Sequence, residues 1–138
     1  MANQLDFQIT EEGHRNAVLK LTGVLDTTDV SETPAVALSD FVNNDPRLVL
    51  SGLRVDLLEY VIGDGIEIIL EWASLNPKQI FALAGRGRIN STNYGGFLPD
   101  PSRPGYNGNI NLRTTGYVQG SIQNFTIVLE LVKLYRVN

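Results

Sequence analysis

The feature that most constrains the fold is a two-residue alternation of apolar and polar side chains that returns along the whole chain. Leu5, Phe7 and Ile9 are each separated by a polar residue, and the pattern resumes over residues 17–24 after a turn at residues 12–16. Alternation of this kind is typical of strands with one face buried and one face in solvent. The N-terminal quarter therefore predicts a β-hairpin.

Later segments have the same strand character, with apolar and often β-branched residues between turn-forming ones. Gly63-Asp64-Gly65 predicts a tight hairpin between two of them, because glycine accepts the positive φ of such turns. Gly85 and Gly87 predict a bulge or a close backbone approach within another. These segments are residues 48–62, 66–72, 80–89, 110–118 and 122–137.

The last segment, residues 122–137, fits two templates. Phe125, Ile127 and Leu129 alternate as in a strand, whereas Phe125 and Val128 would also share a helix face. The β-branched residues in this stretch favour the strand, with a helix as the alternative.

The whole pattern predicts one all-β domain over residues 1–138. Residues 25–46 are polar and irregular, and residues 35–42 within them fit either a short helix or an extended segment. About seven or eight strands with connections of unequal length indicate an antiparallel β-sandwich or a jelly-roll-like barrel. The absence of alternating strands and helices excludes the nucleotide-binding α/β folds.

Residues 90–109 form one long loop or arm. Four Gly, three Pro and four Asn occur there, a composition that prevents a regular element. Long loops in compact domains are often functional. We therefore take Tyr94, Phe97, Arg103 and Tyr106 as candidate partner contacts, because interfaces are enriched in aromatic residues and arginine. The alternative is that the aromatic rings fold back onto their own sheet.

Arg86 and Arg88 are two further candidates, in the run Gly85-Arg86-Gly87-Arg88. The run resembles part of a glycine-rich phosphate loop, but the full spacing and a following helix are missing. A strand whose two arginines meet carboxylates of another subunit is the preferred interpretation.

Composition excludes several classes of chemistry. The chain has no cysteine and one histidine, so thiolate catalysis, Cys-bearing zinc sites and multi-histidine metal sites are excluded. A net charge of −4 argues against nucleic acid as a partner. The sequence contains neither a secretory signal nor an apolar run of membrane-spanning length, and predicts synthesis in a cytosol.

We expect no enzyme activity and no cofactor, because the candidate catalytic groups have simpler explanations. His14 fits a solvated turn, and Glu67 and Glu71 fit a solvent-facing stripe on one strand. Two oxygen-rich clusters could in principle bind calcium but fit turn chemistry better. These clusters are Asp26, Asp29 and Glu32, and Asn43, Asn44 and Asp45.

Three stretches give the chain its resemblance to a family. Residues 3–11, 108–117 and 128–135 resemble structural proteins of tailed-bacteriophage virions. The size and general sequence character of the chain are similar to those of capsid decoration (cement) proteins. The resemblance implies a β-sandwich or jelly roll that forms a homotrimer on the capsid exterior and contacts the major capsid protein. It also implies synthesis in the host cytoplasm, and it carries over no catalytic or binding residue.

Three functions are therefore weighed. A non-enzymatic decoration protein is first, and a tail, connector or fibre component is second. The third is a carbohydrate-binding module with Tyr94 and Tyr106 as stacking surfaces, together with Trp72, although Trp72 lies on an apolar face that predicts core. In the first two roles the final strand could pair with a neighbouring molecule if it lies at a sheet edge.

Overall fold

The computed structural model describes residues 3–43 and 45–137. Within these residues the chain forms nine β-strands and two short 3-10 helices, Leu38–Asp40 and Thr92–Tyr94. The strands are β1 Gln4–Glu12, β2 Asn16–Leu25, β3 Thr33–Val36, β4 Leu48–Ile62, β5 Glu67–Trp72, β6 Lys78–Leu83, β7 Arg86–Asn90, β8 Ile110–Thr115 and β9 Gln123–Val137.

The strands form two antiparallel sheets. The five-stranded sheet has the order β1-β2-β9-β4-β7, and the four-stranded sheet has the order β3-β8-β5-β6. One core joins the two sheets, with buried residues contributed by both. The predicted all-β antiparallel sandwich is confirmed, and so is the N-terminal hairpin, in which β1 pairs with β2.

The pairing of strands is nested. β2 pairs with β9, β3 with β8, β4 with β7 and β5 with β6, so each pair encloses the next along the chain. Two further pairings, β4 with β9 and β5 with β8, join these pairs within each sheet. From β2 onward the chain is therefore one long antiparallel ribbon folded into two layers.

Apolar side chains at every second position of the strands point inward and form the core. On β9, Phe125, Ile127, Leu129 and Leu131 are at most 2% exposed, whereas Glu130 between them is exposed. Burial of an aliphatic side chain of this size stabilises the fold by about 1.5–3 kcal/mol. The strand predicted for residues 122–137 is confirmed, because a helix would not bury every second residue.

The tight hairpin predicted at Gly63-Asp64-Gly65 is wrong. β4 and β5 belong to different sheets, so this turn carries the chain from one layer to the other. β4 has 15 residues and β5 has 6, and β4 already pairs with β9 and β7 on its two sides. A glycine-rich turn specifies a reversal of direction, but not which strand each arm pairs with.

The single bulged strand predicted over residues 80–89 is also wrong. The chain forms β6 in the four-stranded sheet and β7 in the five-stranded sheet, and it crosses between them at Gly85. Gly85 has φ +68°, and its carbonyl accepts a hydrogen bond from the Ile62 N–H at 2.6 Å. The glycine thus marks a change of sheet, for which its positive φ is needed.

Residues 35–42, which fit a helix or an extended segment, contain some of each. Strand β3 ends at Val36, and the 3-10 helix Leu38–Asp40 follows it. The Leu38 N–H donates to the Asn109 side chain at 2.9 Å, which fixes this segment against the long loop.

The strand register of β9 predicts unequal effects for two neighbouring truncations. We expect Leu129→Ala to lower the free energy of unfolding by about 2–5 kcal/mol, because Leu129 is fully buried and its loss leaves a cavity. Val128→Ala should cost about 1 kcal/mol or less, since Val128 lies on the outer face. Urea unfolding of both variants tests this, and equal losses would contradict the register.

Candidate functional site

Four connections meet at one end of the sandwich, which we call the loop end. It comprises residues 13–15, 37–43 with 45–47, 73–77 and 91–109. The strand pairings place all four there, because β1, β3, β5, β7 and β9 run toward this end and the other strands run away from it. Tyr94, Phe97, Arg103 and Tyr106 all lie in this group of loops.

Phe97 belongs to the body of the protein. Its backbone pairs with Val55 on β4 through two hydrogen bonds of 2.9 and 3.1 Å. Its ring meets Phe81 of β6 edge-on, with centroids 4.6 Å apart. Since β4 and β6 belong to different sheets, Phe97 contacts both layers at this end of the sandwich.

Tyr106 and Arg103 hold the long loop to both sheets. The Tyr106 hydroxyl donates to the Ser51 carbonyl of β4 at 3.1 Å, and burial raises its pKa above the ordinary value. The Arg103 guanidinium donates to the Asn76 carbonyl at 3.1 Å, beside the bond from the Leu75 N–H to the Pro104 carbonyl at 2.9 Å. Residues 90–109 are therefore held against the body instead of reaching away from it.

Tyr94 is the loop aromatic that faces solvent. Its side chain is 86% exposed at the end of the 3-10 helix Thr92–Tyr94. Leu75 and Leu98 are also exposed at this end, at 75% and 57%. Our sequence predictions missed these two leucines, although an apolar residue inside a Pro- and Gly-rich turn is a signal that could have found them.

An apolar groove of about 630 Å³ lies between the long loop and the start of β4. Gly52 on β4 makes the close approach of the loop possible, because a Cβ there would lie 2.7 Å from the Tyr106 hydroxyl. Chemically, the groove can accept an apolar side chain from a partner. Its apolar lining includes Leu38, Leu50, Leu98, Pro99, Tyr106 and Leu134.

A buried ion pair lies between the end of β1 and the last part of β9, also at the loop end. The Lys133 ammonium donates to Glu12 at 2.7 Å and to the Val42 carbonyl at 3.0 Å, and it lies 5.7 Å from the centroid of the Phe41 ring. Sequence reasoning missed Lys133, yet the residue continues the inward row of β9 two positions after Leu131. The pair joins the β1–β2 hairpin and the segment before β4 to the central strand.

The Glu12 carboxylate responds to two opposing effects. Burial raises the pKa of Glu12, whereas the hydrogen bonds from Lys133 and from the Val42 N–H lower it. Together the lowering effects are larger, so the net shift of the pKa is downward. His14 follows in the same turn, exposed, with its ring stacked on Tyr135 at 5.1 Å between centroids.

Arg86 and Arg88 lie apart from the loop candidates, along the edge strand β7. The Arg88 guanidinium pairs with Glu59 of the same chain at 3.4 Å, and both side chains are more than half exposed. Arg86 is exposed opposite Val61. The structure therefore gives Arg88 a carboxylate within its own sheet.

The solvent-facing position predicted for Glu71 is wrong. Glu71 is 6% exposed, and Arg113 of the neighbouring strand β8 donates to its carboxylate at 3.0 Å. β5 lies between β8 and β6, so flanking side chains cover this glutamate. The hydrogen bond with Glu71, burial and the charge of Glu71 together raise the pKa of Glu32.

The carboxylates of the oxygen-rich loop clusters bond to other groups of the protein, some in the same turn and some in distant strands. Asp29 accepts hydrogen bonds from the Thr114 hydroxyl and the Tyr117 N–H at 2.9 and 3.1 Å, and Asp45 pairs with Arg47. Asn44 lies outside the described residues. Over residues 3–43 and 45–137, the side chains form no cluster of three or more metal-ligating His, Cys, Asp or Glu groups.

The Glu12–Lys133 pair generates a prediction. We expect Glu12→Gln to destabilise the fold at neutral pH by about 2–4 kcal/mol, because it leaves the ammonium of Lys133, with 1% of its side chain exposed, without an anion. Glu11→Gln makes the same charge change at an exposed neighbour and should cost about 0.5 kcal/mol or less. Denaturant unfolding of the two variants measures the difference, and equal effects would contradict the pairing.

The same pair predicts a pH dependence. Because the folded-state pKa of Glu12 is lowered, its stabilisation is present above the ordinary pKa of 4.5 and is lost as pH falls through the folded value. Stability curves of the wild type and Glu12→Gln should therefore converge at acid pH. A constant gap down to pH 2–3, the region about two units below the ordinary value, would show that Glu12 does not carry this dependence.

Over residues 3–43 and 45–137, the structure has no helix that is long and apolar enough to cross a membrane. Comparisons of the chain with protein-family models, with curated proteins and with solved structures found no significant match.

Proposed function

We propose that the protein is a non-enzymatic structural protein of a bacteriophage virion, acting as a capsid decoration protein on the shell exterior. The observation that carries the proposal is the nested strand order. Without β1, the sheets read β2-β9-β4-β7 and β3-β8-β5-β6. We interpret this order as that of an eight-stranded jelly roll, and this interpretation supports the proposal. The jelly roll is a recurrent architecture of viral capsid domains, and this topology agrees with the sequence resemblance.

The loop end is the proposed docking surface for the major capsid protein. Tyr94, Leu75 and Leu98 expose apolar area at this end, and Leu98 also lines the apolar groove. Exposed apolar patches mark interaction sites. A repeated shell lattice presents many equivalent sites, so an oligomer gains avidity from modest single contacts. The resemblance implies a homo-oligomer, with three copies as the expected number.

Two other roles remain as alternatives. A tail, connector or fibre component would use the same architecture at a much lower copy number. A carbohydrate-binding module would use Tyr94, because Tyr106 is bonded to Ser51 and Trp72 is 3% exposed in the core. One solvent-facing ring is a small stacking platform, so the virion role has the stronger support.

Copy number tests the proposal. Quantitative mass spectrometry of purified virus particles should give a ratio to the major shell protein of order one. A few copies per particle would move the protein to the tail or neck. Absence from particles would overturn the virion role and direct the next test to glycan binding.

The docking surface has its own prediction. Leu98→Asp should weaken co-sedimentation with shells of the major capsid protein by about tenfold or more, since a charge would enter an apolar contact. Val118→Asp is the matched control, because Val118 is 69% exposed at the opposite end of the sandwich. Equal loss in both variants would exclude the loop end as the specific contact.

A further inference from the structure

Four strands form the edges of the two sheets, and three of them carry features that hinder pairing with another chain. β3 has four residues and contains Pro34, and β7 has five residues with Gly87 between two arginines. β6 begins at Lys78, and its pairing with β5 is interrupted by a bulge. Short length, proline, bulges and cationic side chains are the usual protections of an edge strand.

β1 is the exception among these edges. It has nine residues and contains neither proline nor a basic residue. It pairs regularly with β2 from Gln4 to Ile9, and its one register break lies beyond this run, between Ile9 and Glu11. On its outer side it lies at the end of the five-stranded sheet, and no neighbouring strand of the described residues covers it. Its outward backbone N–H and C=O groups are therefore open to a further strand.

The inner side chains of β1 are incompletely covered. Leu5, Phe7 and Ile9 pack against the core but are only partly buried, whereas Leu19 and Leu21 beside them on β2 are 3% and 0% exposed. The five-stranded sheet has one strand more than the sheet it faces, so the apolar row of β1 lacks full cover. A strand added beside β1 with the same apolar row would contact these side chains along their open flank.

We propose that β1 is the pairing edge for a second copy of this chain, in an antiparallel arrangement with its two-fold axis at Phe7. In this register Phe7 meets Phe7 of the second copy, and Leu5 meets Ile9 of the second copy. On the outer face, Asp6 meets Gln8 of the second copy. Two five-stranded sheets then continue into one, with backbone hydrogen bonds across the new pair.

Charge and apolar pattern select this register over its neighbours. An axis at Asp6 would place two aspartates directly opposite each other, which is unfavourable. An axis at Gln8 would place Leu5 opposite Glu11, and the register of β1 is already broken between Ile9 and Glu11. Of these three registers, only the axis at Phe7 pairs all three apolar residues with apolar residues and also separates the two aspartates.

This interface does not rest on the proposed function, because it uses a flank of the sandwich and not the loop end. A two-fold pairing uses the β1 edge of both copies, so no β1 edge is left for a third copy. It therefore predicts a dimer in solution, in contrast to the trimer that the resemblance implies.

Sedimentation velocity of the full chain over a range of concentrations tests the proposal through Gln8. In the dimer, Gln8→Glu places a carboxylate beside Asp6 of the second copy and Gln8→Lys places an ammonium there. Each contact occurs twice, so we expect the dimer dissociation constant to rise about 2- to 30-fold for Gln8→Glu and to fall similarly for Gln8→Lys.

The stability of the folded monomer should change in the opposite direction to the stability of the dimer. This difference distinguishes an effect of Gln8 on pairing from an effect on folding. Within one molecule Gln8 lies opposite Lys20, so Gln8→Glu gains an attraction and Gln8→Lys gains a repulsion. Lys20→Gln is the matched control: it makes the same charge change as Gln8→Glu on the same face, one strand inside the edge. It should leave the dissociation constant within about twofold of the wild type.

Rescue completes the test. Asp6→Lys in the Gln8→Glu background places unlike charges opposite each other and should restore dimerisation. A chain that stays monomeric at all concentrations, one that forms trimers, or a dimer whose dissociation constant shifts in the same direction for Gln8→Glu and Gln8→Lys would overturn the β1 pairing.

Discussion

The structure depends on the position of the last strand in the middle of the larger sheet. β9 pairs with β2 over the whole of β2 and with β4 along nearly its full length, so it joins the N-terminal hairpin to the centre of the chain. Its inner row supplies fully buried residues to the core, and its Lys133 binds Glu12 of β1. The five-stranded sheet cannot form until this strand is present. The fold is therefore dominated by contacts between distant parts of the sequence, a property associated with slow folding.

The dependence on β9 also explains which fold predictions succeeded. The existence of most strands follows from side-chain alternation, a local property of the sequence. The choice of partner is not local. Gly63-Asp64-Gly65 and Gly85 were identified as positions of backbone reversal or irregularity, but both are places where the chain changes sheet. Whether a turn joins paired strands or opposite layers is decided by β9 and β8, which return later and occupy the neighbouring positions.

The candidate site was predictable to a similar degree. Composition identified residues 90–109 as the long connection, and Tyr94 within it is an exposed aromatic residue. Phe97 and Tyr106 have the same chemical character but contact Phe81 and Ser51, and nothing local distinguishes them from Tyr94. Lys133 is the opposite case, because its place in the alternation of β9 indicates an inward side chain. A charged residue at such a position requires a buried partner, and the partner lies 121 residues away in Glu12.

The two proposed surfaces are compatible because they lie on different parts of the sandwich. β1 is separated from β4, which borders the apolar groove, by β2 and β9, a distance of about 14 Å across the sheet at the usual strand spacing. Pairing through β1 would leave each groove open. Because the pairing is antiparallel and β1 runs toward the loop end, the two loop ends would point in opposite directions, at the two ends of the shared sheet. One surface could then engage only one loop end of each pair, so the pair would connect two surfaces instead of adding avidity on one.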